Sequence, residues 1–308
     1  MPPPRSPQLL LLDGGVSTHL ESKLSPVPFS HRELWSSSLL LTPAGREAIR
    51  EAHVDFLSAG ADVISTVTYQ AHYMPLPGKE EDDAERRLRL DDAFVDGMLK
   101  DGVRLAKEAA RQHTTTCTTG SKEYNGARKV ARVAASIGSL GGSLADGSEY
   151  TGKFGLSIAE IESFHRRKVQ VLAGEHPNIL AFETIPCIEE CCAILNILKE
   201  EMSDGFGAGC AANVRPSIWL SFACSDNEHL NDGKKLRDAL LKVDELDPEA
   251  KLLQAIGVNC CSFPNGKCIV LMLTSVSTCP IMRDFHDLYA LIPCASHSVT
   301  LLHFSLQQ

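Results

Sequence analysis

The chain repeats one pattern, in which a short apolar run is followed by a segment whose apolar residues recur with helical spacing. The runs lie at residues 8–12, 62–67, 130–137, 178–182, 218–223 and 252–259. Runs of this length that end at polar turns are typical of buried strands. Six such strands alternating with helices predict an α/β fold with a parallel sheet and right-handed crossovers.

The segments between the runs carry recognisable helix signals. Thr42 and Pro43 fit an N-cap and the first residue of a helix, and Ser157 and Glu160 have capping-box spacing. The helix behind this box has an apolar face made by Ile161, Phe164, Val171 and Leu172. A later helix carries a core stripe that makes Cys191 a packing residue, together with Ile194, Leu195 and Leu198.

Polar residues stand where the predicted strands end. They are Asp13, Thr66, Ser136, Glu183, Ser221 and Asn259, the last followed by Cys260. In a (β/α)-barrel, the carboxyl ends of the strands form the face that carries the active site. The pattern therefore predicts a ligand site at this end of the sheet.

The charge of the chain narrows the class of ligand. The formal net charge is -9 at neutral pH. A nucleic-acid or anionic-membrane partner would require a basic face, so a small-molecule ligand is favoured. The most apolar segment, residues 268–282, is interrupted by Pro280 and is shorter than the roughly 20 residues that a membrane span needs. We therefore expect no nucleic-acid or membrane partner.

The 11 cysteines are scattered irregularly along the chain. The apolar residues 9–12 before Asp13 are too few for a signal-peptide core, so we expect a reducing, cytoplasmic location. There, cysteines act as core thiols, metal ligands or catalytic groups more often than as disulfides. Cys260 and Cys261 would face opposite sides of the last predicted strand, which places one thiol at the mouth of the sheet.

Asp13 and Glu183 each admit two interpretations. Asp13 precedes Gly14 and Gly15, so it either binds a ligand amine while the glycine N–H groups bind a carboxylate, or it organises a turn. Glu183 ends an apolar strand, where a carboxylate needs a cationic or hydrogen-bonding partner. That partner is either a substrate ammonium group or an internal Lys or Arg. The residues alone leave both alternatives open.

Several strand-end motifs, taken together and in order, resemble the homocysteine S-methyltransferase family. They are Leu12-Asp13-Gly14-Gly15, Ala59-Gly60-Ala61-Asp62-Val63-Ile64, Val133-Ala134-Ala135-Ser136-Ile137-Gly138-Ser139, Leu144-Ala145-Asp146-Gly147-Ser148-Glu149-Tyr150, Phe182-Glu183-Thr184-Ile185-Pro186 and Gly257-Val258-Asn259-Cys260. The resemblance covers residues 9–264. It implies a (β/α)8 TIM-type barrel that binds homocysteine and zinc. S-methylmethionine or S-adenosylmethionine would be the sulfonium methyl donor, and methionine the product.

The resemblance also implies roles for individual residues. Asp13 and Glu183 would bind the amino group of homocysteine, and the Gly14 and Gly15 backbone would bind its carboxylate. Cys260 would be the first zinc ligand, and zinc would hold the substrate sulfur as a thiolate. Holding the amino end would orient that thiolate in line with the methyl group.

After Cys260 the chain departs from the family pattern. The family takes its remaining zinc ligands from a Gly-Gly-Cys-Cys motif at the eighth strand, and no such motif follows Cys260 here. We therefore expect residues 1–265 to form a homocysteine-binding barrel domain with six βα units. Residues 266–308 would form an unrelated tail in place of the last two strands. The zinc site would then be incomplete.

Three functions are consistent with these residues. The first is methyl transfer from S-methylmethionine or S-adenosylmethionine to homocysteine. The second is a non-catalytic barrel that binds an amino acid weakly or associates with a full-length subunit. The third is a metal-free barrel enzyme that uses Asp13 and Glu183 as general acid and base.

Overall fold

The computed structural model describes residues 10–25, 29, 34–73, 91–120, 130–144, 146–203, 215–249, 251–262, 289–293 and 298–304. Its α-helices are α1 (Val16–Leu24), α2 (Pro43–Ser58), α3 (Asp92–Gly120), α4 (Leu140–Leu144), α5 (Ile158–Gly174), α6 (Ile188–Ser203) and α7 (Leu236–Leu246). Short 3-10 helices lie at Trp35–Leu41 and Ser148–Tyr150.

The described strands form one seven-stranded sheet in the order β1-β2-β3-β4-β5-β7-β6. They are β1 (Val63–Ser65), β2 (Arg132–Gly138), β3 (Ile179–Ile185), β4 (Ser217–Phe222), β5 (Ala255–Ser262), β6 (Tyr289–Pro293) and β7 (Ser298–Phe304). Among β1 to β5, each strand pairs in parallel with the next. This confirms the predicted alternation of strands and helices around a parallel sheet.

The first apolar run contributes less than the full strand that its sequence predicts. Within its described residues, Leu12 forms an isolated parallel bridge with Val63. The backbone N–H of Asp13 donates to the carbonyl of Val63 at 2.9 Å. This bridge is sufficient to place Asp13 beside the carboxyl end of β1.

The C-terminal tail, residues 266–308, was predicted to replace the last two strands of the barrel. Its described residues instead add two strands to the sheet. Strand β7 pairs antiparallel with β5, and β6 pairs antiparallel with β7. Both segments are rich in apolar residues, and β7 contains the β-branched pair Val299 and Thr300, so their local preference is for strand. An antiparallel hairpin needs no crossover helix, which explains why this segment lacks the βα pattern.

The helix starts follow their sequence signals. Oγ1 of Thr42 accepts a hydrogen bond from the N–H of Gly45 at 3.0 Å at the start of α2. Ser157 and Glu160 form the predicted capping box at the start of α5. Cys191 is completely buried on α6, which confirms its role in packing.

The buried stripe of α5 includes a residue that the apolar pattern did not predict. Ile161, Phe164 and Leu172 are buried, whereas Val171 is only partly buried. Lys168 occupies the buried face instead and is 1% exposed. Position 168 lies one helical turn from Phe164 and from Leu172, so the helix directs its side chain toward the sheet.

The main core lies between the sheet and the surrounding helices. Phe182, Leu220 and Phe222 belong to it, and each is at most 1% exposed. This burial fixes the strands, and with them the residues at their carboxyl ends. Across the parts of the chain that are described, no helix is both long and apolar enough to cross a membrane.

Candidate functional site at the carboxyl ends of the strands

Asp13 lies buried at the carboxyl end of the first apolar segment, beside β1. Its Oδ2 accepts a hydrogen bond from the N–H of Ser65 at 2.6 Å, and its Oδ1 accepts from the Ser65 hydroxyl at 2.9 Å. Burial raises the pKa of Asp13 to about 8, while the Ser65 hydrogen bonds oppose that rise and the charge of Glu183 adds to it. Asp13 and Glu183 are therefore close enough to repel each other when both are ionised.

Glu183 lies at an irregularity in strand β3. The register of β3 against β4 shifts between Phe182 and Ile185, and such a bulge redirects a side chain. The Oε1 atom of Glu183 is buried and has no hydrogen-bond partner among the described residues. Burial raises the pKa of Glu183 to about 7, and the Ser136 hydroxyl and the charge of Lys168 lower it.

Thr184 and Asn259 join the ends of β3 and β5. The N–H of Thr184 donates to Oδ1 of Asn259 at 2.9 Å, and Nδ2 of Asn259 donates to Oγ1 of Thr184 at 2.8 Å. Ser221, on the strand between them, donates to the same Oδ1 at 3.0 Å. Asn259 thus uses both ends of its amide to connect three neighbouring strands.

Cys260 follows Asn259 and is exposed, whereas Cys261 is buried. The Sγ of Cys260 lies 3.7 Å from Oγ1 of Thr184 and 3.5 Å from Nδ2 of Asn259. The Sγ of Cys261 donates to the carbonyl of Asn259 at 3.2 Å and accepts from the N–H of Cys224 at 3.3 Å. The two thiols therefore face opposite sides of β5, as predicted, and only Cys260 reaches the mouth.

Thr184 and Cys260 both have positive backbone φ angles, 63° and 54°. This left-handed region is uncommon for residues with a side chain, and it is a real outlier for a β-branched residue such as Thr. Such conformations persist where surrounding contacts enforce them, and they cluster at functional sites. The Asn259 hydrogen bonds supply those contacts for Thr184.

Gly14 and Gly15 lead from Asp13 into α1. Gly15 is the N-cap of α1, its carbonyl accepts from the N–H of His19 at 2.9 Å, and no side chain caps this end of the helix. The first N–H groups of a helix attract anions. This end of α1 therefore offers N–H donors next to Asp13.

Tyr69 lies in the turn after β1 and was not singled out from the sequence. Its ring packs so tightly against Gly142 that an added Cβ there would lie 2.9 Å from Cε1 of Tyr69. Burial raises the pKa of Tyr69, and a negative charge on Cys260 raises it further, while hydrogen bonds with Thr184 and Ser139 lower it. The Tyr69 hydroxyl group is thus part of the site that contains Cys260.

Tyr150 lies on the rim of the same site. Its side chain is 64% exposed. Burial of the rest of the ring raises the pKa of Tyr150, and the charge of Cys260 raises it further. Two aromatic rings therefore lie within electrostatic reach of the one exposed thiol among the described cysteines.

Lys168 was also missed from the sequence. Its Nζ donates to the carbonyl of Tyr69 at 2.9 Å from a position that is 1% exposed. Burial lowers the pKa of Lys168 to about 7, and the charge of Glu183 opposes that change. The signal was present in the sequence, because position 168 lies on the buried face of α5. However, a lysine at the edge of an apolar face usually extends its amine to the solvent, so the sequence alone does not indicate that Lys168 is buried.

The structure brings together every residue that the sequence placed at the strand ends and adds an internal cation. Both interpretations of Glu183 remain open. Lys168 supplies an internal positive charge, while Oε1 has no hydrogen-bond partner within the described chain and is available to a ligand. A parallel α/β sheet with carboxylates, a thiol and aromatic rings at its carboxyl ends is the arrangement typical of (β/α)-barrel enzymes.

Comparison with known proteins supplies the family. The model of the homocysteine S-methyltransferase family matches residues 10–284, and the chain belongs to this family of enzymes. Homocysteine S-methyltransferase 1 from Brassica oleracea var. italica is 35% identical over 254 residues, which cover 81% of this chain and 68% of that protein. Homocysteine S-methyltransferase YbgG from Bacillus subtilis (strain 168) is 31% identical over 274 residues, covering 89% and 76% respectively.

A solved structure shows the same fold. The metallated form of the homocysteine methyltransferase MmuM from Escherichia coli matches with a TM-score of 0.70 and 29% identity. The match covers 92% of this chain and 82% of the MmuM chain. The predicted α/β architecture of the barrel type is therefore confirmed at the level of the parallel sheet and its helices.

Proposed function

We propose that this protein binds homocysteine at the carboxyl ends of its strands and methylates the homocysteine sulfur. The methyl donor would be a sulfonium compound, S-methylmethionine or S-adenosylmethionine, and the product would be methionine. Family membership supports the reaction. The observation that carries the binding site is the buried Oε1 of Glu183, which has no hydrogen-bond partner among the described residues. Such an atom is costly unless a ligand supplies a donor.

The amino group of homocysteine fits between Glu183 and Asp13. An ammonium group has three donors and a positive charge, so it satisfies Oε1 of Glu183 and relieves the repulsion between the two carboxylates. Asp13 already accepts two hydrogen bonds from Ser65, which fix its orientation. The pair therefore recognises an amine by charge as well as by hydrogen bonding.

The carboxylate of homocysteine fits the uncapped start of α1. Gly14 and Gly15 follow Asp13 directly, so a ligand that places its amino group on Asp13 has its carboxylate next to these N–H donors. The partial positive charge at a helix start favours an anion there. Amino and carboxylate groups on one carbon would be recognised by adjacent residues.

The sulfur of homocysteine would then point toward Cys260 and the two tyrosines. In the reaction, the thiol proton is lost to solvent, a lone pair on sulfur attacks the methyl carbon, and the bond from that carbon to the donor sulfur breaks. The donor leaves as a neutral thioether. Tyr69 and Tyr150 suit the donor, because the face of an aromatic ring attracts a cation.

Zinc is the cofactor that the family resemblance implies, and it would hold the substrate sulfur as a thiolate. Zinc sites use three or four protein ligands. Among the described residues, no group of three or more His, Cys, Asp or Glu side chains is arranged to hold a metal. Cys261 points away from Cys260. Cys268, Cys279 and Cys294 lie outside the described residues. The described residues therefore do not fit zinc, and we derive no step through it.

The second candidate function is non-catalytic binding of an amino acid, alone or in association with a full-length subunit. It is favoured by the same observation, that the mouth presents only one thiol among the described cysteines. The carboxylates and the start of α1 would still bind an amino acid in that case. The two functions therefore share a binding site and differ in methyl transfer.

The test is methionine formation by purified protein given homocysteine with S-methylmethionine or S-adenosylmethionine, combined with metal analysis. We expect product with at least one donor and its loss in Cys260→Ala, and about one zinc per chain would show that residues outside the described part complete a metal site. Product formation by protein without metal would show that zinc is not required. Homocysteine binding without product from either donor would support the non-catalytic function instead.

Calorimetry with homocysteine tests the binding site itself. We expect Glu183→Gln to weaken binding by about 10- to 100-fold, because the ammonium loses a charged acceptor in a buried site. Glu245→Gln is the matched control, since Glu245 pairs with Lys242 on the exposed face of α7. Unchanged affinity in Glu183→Gln would show that the ammonium binds elsewhere.

A further inference from the structure

Lys168 crosses from helix α5 to the floor of the proposed binding site. Its Nζ donates to the carbonyl of Tyr69 at 2.9 Å. The same carbonyl accepts from the N–H of Gly138 at 3.2 Å. Gly138 is paired in register with Glu183 across β2 and β3. One carbonyl therefore places the Lys168 ammonium at the same level of the sheet as the Glu183 carboxylate.

The groups around Glu183 come from several elements. Asp13 faces it from the segment before α1, Tyr69 from the turn after β1, Ser136 from β2 and Lys168 from α5. Cys260 lies beyond Thr184, the neighbour of Glu183. Of these groups, Lys168 is the cation, and its charge lowers the pKa of Glu183 against the effect of burial.

The charges in this cluster become unequal once both carboxylates are ionised. Asp13 and Glu183 can carry two negative charges, and Lys168 can carry one positive charge. Without ligand, burial keeps Asp13 protonated to about pH 8, so Lys168 balances Glu183, and ionisation of Asp13 would leave one carboxylate without a counter-charge. The ammonium of an amino-acid ligand supplies the missing charge.

We propose that Lys168 is a positioning residue that holds Glu183 in its carboxylate form and so prepares the site for an ammonium group. The ligand named here rests on the proposed function, whereas the effect on Glu183 does not. The Lys168 ammonium donates to the Tyr69 carbonyl and acts on Glu183 through its charge. It has no role in methyl transfer. It acts on binding by setting the charge of a group that the ligand contacts.

A direct test measures the ionisation of Glu183 in the protein without ligand. The carboxyl carbons of glutamate are labelled with 13C, and the signal of Glu183 is assigned by its loss in Glu183→Gln. In Lys168→Met we expect the titration midpoint of that signal to rise by about one to three pH units, the usual effect of an adjacent charge. An unchanged midpoint would overturn the proposal.

Two further variants separate charge from hydrogen bonding. Lys168→Gln keeps a donor for the Tyr69 carbonyl but is neutral, so it should raise the midpoint as Lys168→Met does. It also replaces Lys168→Met if that variant does not fold. Lys168→Arg keeps the charge and should leave the midpoint near that of the wild type. A midpoint that moves in Lys168→Arg as far as in Lys168→Gln would contradict the role of charge.

The effect on ligand binding follows from the sign of this change. When the pKa of Glu183 is higher, fewer molecules carry the carboxylate at neutral pH. Homocysteine binding to Lys168→Gln should be about 10-fold or more weaker than wild type near pH 7, and the difference should narrow as pH rises toward about 8.5. A deficit of the same size at every pH would indicate a structural effect through Tyr69 alone and would overturn the proposal.

Arg167→Met is the matched control on the same helix. Arg167 pairs with Asp96 at 3.1 Å and lies 5.0 Å from the centre of the Tyr73 ring, on the exposed side of α5. It should leave the Glu183 midpoint and the pH dependence of binding unchanged. If wild type binds no homocysteine but the midpoint still moves in Lys168→Gln, the proposed ligand is wrong and the role of Lys168 stands.

Discussion

Thr184 and Asn259 hydrogen-bond each other in both directions, at 2.9 Å and 2.8 Å, across the mouth of the sheet. The strand between them, β4, contributes a further hydrogen bond from Ser221 to the same amide. Glu183 precedes Thr184, and Cys260 follows Asn259. The distance between the carboxylate and the thiol is therefore governed by one buried amide.

Replacing Asn259 with alanine should destabilise the protein by about 2–4 kcal/mol, because it leaves the buried Thr184 N–H without a partner and leaves the Ser221 hydroxyl only the Phe182 carbonyl at 3.4 Å. Urea denaturation measures the change as a lower midpoint with an unchanged slope. Asn196→Ala is the control, since Asn196 is partly exposed and makes one hydrogen bond to Glu162. Equal losses in the two variants would argue against a special role for the Asn259 network.

The raised pKa of Asp13 predicts how stability depends on pH. In the unfolded chain Asp13 loses its proton near pH 4, whereas burial in the folded protein keeps it protonated to about pH 8. The folded state therefore binds more protons in this window, and its stability falls as pH rises through it. Asp13→Asn cannot ionise, so it should make the slope of unfolding free energy against pH less negative, by up to about 1.4 kcal/mol per pH unit.

Denaturant titrations of ligand-free protein at several pH values between those two limits measure this slope. Asp238→Asn, on an exposed position of α7, is the control and should follow the wild type. A slope that is the same in Asp13→Asn and wild type would mean that Asp13 is already ionised throughout the window. Homocysteine should reduce the pH dependence of the wild type, because an ammonium group stabilises the carboxylate.

The buried pair of His165 and Glu190 supports the loop after β2. Oε1 of Glu190 lies 2.8 Å from Nε2 of His165 and accepts from the N–H of Leu140 at 2.6 Å, at the start of α4. All these groups are completely buried. Glu190→Ala should destabilise the protein by about 2–4 kcal/mol, because it leaves the Leu140 N–H and the Nε2 atom of His165 buried without a partner.

The variant Glu190→Gln keeps an oxygen that can accept from Leu140, so its loss should be smaller, at about 1–2 kcal/mol. Thermal or chemical denaturation measures both variants. If Glu190→Gln were as unstable as Glu190→Ala, the hydrogen bond to Leu140 would not be what holds this loop.

Gly142 tests the close contact with Tyr69. A Cβ at position 142 would lie 2.9 Å from the Tyr69 ring, so Gly142→Ala must displace the ring or the helix α4. We expect a loss of about 1–3 kcal/mol, typical of overpacking in a core. In Gly97→Ala, where an added Cβ meets nothing within 4 Å on α3, stability should rise by about 0.5–1 kcal/mol. Opposite signs in the two variants would show that packing, not helix preference, decides the outcome at position 142.

Much of the fold is predictable because apolar runs and helix caps are local signals. Strands β1 to β5 and the capping box at Ser157 follow from them. The first run becomes a bridge at Leu12, and the tail pairs antiparallel with β5, because strand pairing depends on which edges are free in the folded sheet. Such edges are not visible in a single segment.

The site was predictable in part for the same reason. Asp13, Glu183 and Cys260 stand at strand ends, which sequence reveals. The contributions of Lys168 and Tyr69 depend on long-range contacts, since Lys168 reaches a carbonyl 99 residues away. The left-handed conformations of Thr184 and Cys260 likewise arise from tertiary hydrogen bonds and not from residue preference.

The two left-handed residues set a limit on how this protein could be made more heat-resistant. Glycine at position 260 would relieve backbone strain of order 1–3 kcal/mol, so a selection for thermal tolerance alone would favour it, whereas glycine at position 184 would also leave the buried Asn259 amide without its hydroxyl acceptor. Either change would remove a side chain from the Thr184 and Cys260 contact at the mouth. Directed evolution for heat resistance would therefore remove the Cys260 thiol, unless ligand binding were selected in the same experiment.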